Sequence, residues 1–151
     1  MSKVFDVVHA EALRVLGLLD DQGLIEMASR ALLEGDRRDA VVQLAICTSD
    51  EAGEIRKLFG QILLEVGIEG MLTIDALRHY AKRISESILT GSVSPVDGAK
   101  AIWRASLGAN LIDFHEVDSF IYAASEADDR PWERDFFERA IVDEAKRWCN
   151  P

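Results

Sequence analysis

Cysteine, proline and long apolar runs are all scarce in this sequence, and each scarcity removes a class of protein. The 151 residues include 2 cysteines and 3 prolines. Cys47 and Cys149 have neither a zinc-type spacing nor a disulfide-rich framework, so they read as two reduced thiols in or near a core. No stretch approaches the roughly 20 consecutive apolar residues that span a bilayer. The N-terminal Met-Ser-Lys-Val-Phe-Asp lacks a charged leader followed by an uninterrupted apolar run, so no signal peptide is expected. A cytoplasmic location without a membrane partner follows as the expectation. Pro, Gly and Ser nowhere cluster into a linker and no segment is of low complexity, which points to one domain over residues 1–151.

Positive charge is the other shortage. Lys and Arg total 17 against 27 Asp and Glu, a formal net charge of −10. Broad binding to nucleic acid or to an anionic membrane relies on cations at the contact, so a basic protein is the better-matched partner. The compact basic group Arg78, Lys82 and Arg83 could contact phosphates, but it also fits the solvated face of an amphipathic helix paired with nearby acids. A helix-turn-helix built on it would have only Lys100 and Arg104 on the next helix, a poor phosphate footprint.

Catalytic and cofactor motifs are lacking too. His9, His79 and His115 occur in no HExxH or Glu-x-x-His pattern. Gly-x-Ser-x-Gly is absent, and the scattered glycines form neither a P-loop nor a dinucleotide fingerprint. The expectation is therefore a protein that is not an enzyme and holds no cofactor or metal. One group stands as the alternative: His115 with Asp113, Glu116 and Asp118, which would make the chain a metal-binding or small-molecule-binding bundle.

What the sequence does contain is helical periodicity. Apolar residues make up 48% and charged residues 29%, a globular composition able to bury roughly 68–70% of the unfolded surface. From Thr48 to Gly67, Ile55, Leu58, Phe59, Ile62, Leu63 and Val66 recur at three- and four-residue steps, predicting a helix at the centre of the core. Thr48 and Glu51 have capping-box spacing, and Gly67 can close the far end. Phe5, Val8, Ala12, Val15, Leu16 and Leu19 share a face of a first helix, which Asp20-Asp21-Gln22-Gly23 should stop. A second runs from about Leu24 to Glu34 before Gly35, and Asp36 caps a short third, making a helical hairpin. Thr73 opens a fifth that Gly91 ends. Ser94-Pro95-Val96-Asp97 is the most explicit helix start, and Gly108 to Asn110 breaks that helix. Phe114, Val117, Phe120, Ile121 and Ala124 define a seventh. Asp128 to Pro131 separates it from an eighth carrying Trp132, Phe136, Ala140, Ile141, Ala145 and Trp148. Sustained period-two alternation is nowhere present. The expected fold is all-α: a compact bundle of seven to eight helices, with solenoid stacking disfavoured because no unit recurs at a fixed interval.

The acids are concentrated late in the chain. Asp113 to Glu144 holds eleven acids against three arginines, or −8. This reads either as a solubilising face or as a docking surface for a basic protein. The candidate partner-binding residues are Glu126, Asp128, Asp129, Trp132, Glu133 and Asp135, with Trp132 either an aromatic anchor or a core residue. One concrete form is an acidic immunity- or antitoxin-type inhibitor that fills the basic cleft of a toxin. A structural protein, monomeric or homodimeric, is the remaining alternative.

Overall fold

The computed structural model describes residues 5–111 and 113–150. The helices are α1 Val7–Val15, α2 Asp21–Leu33, α3 Asp39–Ala45, α4 Ala52–Glu65, α5 Thr73–Thr90, α6 Pro95–Ala109, α7 Asp118–Asp129 and α8 Arg134–Cys149. A 3-10 turn, Pro131–Glu133, joins α7 to α8. There is no strand among the described residues, and the chain is all-α. No helix among them is long and apolar enough to cross a membrane. Residues 1–4, which bear on the expected lack of a leader, lie outside the described residues.

Local chemistry explains the helix ends. Gly67, at φ +78°, closes α4: its N–H bonds the Leu64 carbonyl at 3.1 Å and the Ile68 N–H bonds Leu63 at 2.9 Å, the paired bonds of a left-handed C-terminal cap. Ser94 opens α6 as expected, its hydroxyl accepting the Asp97 N–H at 3.2 Å with Pro95 in the first turn. Three starts differ from the sequence reading. Asp20 to Gly23 begins α2 instead of stopping a helix, because Asp20 Oδ1 accepts the Gly23 N–H at 2.8 Å. Only half of the capping box forms: Glu51 accepts the Thr48 N–H at 2.8 Å, within a turn that precedes α4. Asp36 does not cap α3. That position belongs to Arg38, whose backbone and guanidinium both bond the buried Asp36 carboxylate.

Residue contacts divide the chain into two compact units, the first ending at Leu72 and the second beginning at Thr73. The division falls where composition shows no linker. In the first unit α2 packs on α3 and α3 on α4. Ile55, Leu58, Phe59 and Ile62 of α4 join Phe5, Ala28, Val41 and Leu44 in one buried cluster. α4 thus organises the first unit and not the whole chain, and Val66, placed on its buried face by periodicity, is exposed. In the second unit α5 packs on α6 and α8, and α7 on the same two helices. Leu77, Ala81, Ile102, Phe120 and Ile141 are fully buried there. On α8 the inward stripe is Phe137, Ile141 and Ala145, so Phe136 and Ala140, expected inside, face outward.

Candidate functional site

The candidate surface is the hairpin of α7, the 131–133 turn and α8. Pro131 sits in the first turn of the 3-10 segment, where a missing N–H costs nothing. Arg130 closes α7 with a bond from its N–H to the Glu126 carbonyl at 2.8 Å. The same residue gathers two of the candidate acids. Its guanidinium lies 3.1 Å from Glu126 and 3.7 Å from Glu133. Asp128 turns away to α6, where Lys100 Nζ reaches it at 3.0 Å. Asp129 and Asp135 are exposed and make no ion pair among the described residues. Asp135 lines an open groove of about 580 Å³ with Pro95, Glu138, Arg139, Asp143 and Lys146. Trp132 is 76% exposed at the tip, placed within the 3-10 turn and not on α8. The six residues therefore share one end of the hairpin, with three of the five carboxylates already paired and two presented to solvent.

Two features of this region escaped the sequence reading. Tyr122 and Phe136 are 62% and 56% exposed. With Ser119, Ala123, Phe137 and Ala140 they line a groove of about 370 Å³ between α7 and α8. The signal was present in the four-residue step Phe137, Ile141, Ala145, which leaves the adjacent Phe136 on the outer side. Glu144, counted among the surface acids, is buried. Arg147 and the Trp148 indole N–H, at 3.3 Å, bond it.

The His115 cluster is pulled apart by its partners. His115 Nδ1 lies 3.0 Å from Asp118, while Glu116 accepts from Arg78 Nε at 3.0 Å. The guanidinium holds the Glu116 carboxyl below the usual glutamate range and rests 5.6 Å from the Phe114 ring centre. Among the described residues no group of three His, Cys, Asp or Glu is placed to hold a metal ion. His115 and Asp118 also border a cavity of about 350 Å³ with Trp103, Leu107, Phe114 and Ile121.

The basic group is largely spoken for as well. Arg78 reaches Asp75 at 3.5 Å besides Glu116, and Arg83 lies 4.0 Å from Glu86. Both thiols are raised above the usual cysteine range, first by burial and then by nearby carboxylates. Such thiols stay protonated and are poor nucleophiles. Neither is in a disulfide. No protein-family model matches the chain, and no curated protein or solved structure is significantly similar to it.

Proposed function

We propose that the protein acts by contact and not by catalysis, docking a basic partner protein on the tip of the α7–α8 hairpin. The observation that carries the reading is Trp132. A tryptophan 76% exposed beside the unpaired carboxylates of Asp129 and Asp135 costs solvation in the free protein and fits a contact that removes it from water. The surrounding acids supply long-range attraction to a positive surface and speed encounter. Enzymes that act on nucleic acid present such surfaces in their clefts, and an acidic domain seated there keeps substrate out. This is the inhibitor form of the proposal.

Affinity capture from lysate of the native cells, at low and high salt, tests it. Wild-type protein should retain a basic protein at low salt and release it at high salt. A variant with Asp129→Lys, Glu133→Lys and Asp135→Lys should lose that protein, and Trp132→Ala should weaken its retention at both salts. Retention of the same partner by the charge-reversed variant would sink the assignment of this surface.

A further inference from the structure

We infer that the groove between α7 and α8 receives a basic amphipathic helix of the partner protein. This rests on the docking reading above and names the form its partner takes. The groove floor is Ala123 and Phe137, both buried. Tyr122 and Phe136 rise on either side, and each ring meets Phe137 edge-on, at 6.3 Å and 5.1 Å between centroids. Ser119 and Ala140 are the small residues along the lining. Large rings flanking small residues leave gaps into which apolar side chains of a neighbouring helix can insert, as in helix-in-groove recognition. Along α8 the lining runs from Phe136 to Arg147, about 16 Å at about 1.5 Å per residue, which matches about three turns of a partner helix.

Charge decides which helix. Asp118 and Glu144 border the groove, and Arg147 beside them is held by Glu144. Glu126 lies one turn beyond Tyr122, and Asp135 adjoins Phe136. A second copy of this chain would bring the same acid-rich hairpin face to face with itself, and like charges oppose that pairing. A helix with lysine or arginine flanking an apolar stripe meets Asp118 and Glu126, the latter shared with Arg130, on the α7 edge. On the α8 edge it meets the unpaired Asp135 at one end, with Arg147 occupying the other.

The full-length protein can be titrated with a labelled 14-residue peptide of leucine and lysine arranged as an amphipathic helix, read by fluorescence anisotropy. Two control peptides replace every lysine by glutamate or every leucine by serine. Only the leucine–lysine peptide should bind, with amide shift changes at Ser119, Ala123 and Ala140. Because Tyr122 and Phe136 are more than half exposed, the double variant Tyr122→Ser, Phe136→Ser should stay folded, with the wild-type circular dichroism and a melting temperature lowered only by the loss of the two edge-on contacts with Phe137. It should bind at least tenfold more weakly at every salt concentration. Equal binding by that variant, shift changes confined to other residues, or no binding of the leucine–lysine peptide overturns the groove assignment. The docking surface itself is judged separately, by the effect of Trp132→Ala and the charge reversals on capture of the native partner.

Discussion

Both aromatic residues of the first unit, Phe5 and Phe59, are buried with ring centres 6.4 Å apart. Of the nine in the second, Tyr122, Trp132 and Phe136 are more than half exposed, all three on the α7–α8 hairpin. Charge runs the other way. The chain through Leu72 carries −6 and the remainder −4, because Arg130, Arg134, Arg139, Lys146 and Arg147 offset part of the hairpin's own acidity, and the surplus cations of α5 and α6 cancel Asp113 and Glu116. Net charge alone would direct attention to the first unit. Exposed acids occur in both units, whereas among the described residues the aromatic rings more than half exposed are all on the hairpin. The coincidence of the two, more than acidity, distinguishes the hairpin.

The largest test of that contrast sets one apolar deletion in each unit against the other. Leu44 is fully buried in the cluster that α4 organises, while Phe136 is exposed. Leu44→Ala should cost about 2–5 kcal/mol in denaturant unfolding, through lost burial and the cavity left behind. Phe136→Ala, although it removes the larger side chain, should cost only about 0.5–1.5 kcal/mol, the size of its edge-on contact with Phe137. A Phe136→Ala loss on the Leu44→Ala scale would mean that the ring belongs to the core.

Next in size is the carboxylate that the first unit draws inside. Asp36 is 4% exposed and is bonded by Arg38 through its backbone N–H at 3.1 Å and its guanidinium at 2.7 Å. The guanidinium bond, opposed by burial, holds the Asp36 carboxyl below its ordinary 3.8. Asp36→Asn keeps the shape and removes the charge-assisted bonds, at an expected cost of about 1–3 kcal/mol. The pH dependence has a definite sign. With the folded-state value below the unfolded one, the unfolded chain binds the proton first. The stabilisation is therefore complete above the unfolded value and is lost as pH falls through the folded one. Urea unfolding from pH 7 down into the acid range should show a smaller acid loss in Asp36→Asn than in the wild type.

These residues also mark where the sequence was legible. Periodicity places α4 and picks out Ile55, Leu58, Phe59 and Ile62 as buried, because a broad apolar stripe leaves one orientation available. The Ser94-Pro95 start is equally plain, since its side-chain bond is local. Asp36 and Glu11, the latter 1% exposed against Arg14, are invisible to periodicity: an acid is assigned to solvent unless its partner is known. Phe136 and Phe137 are adjacent, so either could have faced inward, and one residue of helical register exchanges core for surface. Of the proposed site, the acids and Trp132 were legible as a cluster. Their ion pairs, and the Tyr122–Phe136 groove, depend on how α6, α7 and α8 pack, which no local pattern encodes.

The smallest effect asks whether helix contacts in the two units are equally close, using glycines in the interior of α4 and in the first turn of α6. A Cβ at Gly60 would meet nothing within 4 Å, while one at Gly98 would lie 2.7 Å from Ile88 Cγ1 and Cδ1 and 3.2 Å from Ile84 Cγ2. Both isoleucines are on α5, so at Gly98 α6 approaches α5 closely enough to exclude a methyl group. Alanine gains up to about 1 kcal/mol over glycine within a helix. At Gly60 that gain is unopposed, and Gly60→Ala should raise stability by about 0.5–1 kcal/mol. At Gly98 the buried Ile88 must shift, and overpacking of this kind typically costs about 1–3 kcal/mol. Gly98→Ala should therefore lose about 1 kcal/mol net, opposite in sign to its counterpart. Matched melting curves decide it: if both variants are stabilised, the α5–α6 contact has room to yield, and Gly98 is there for no packing reason.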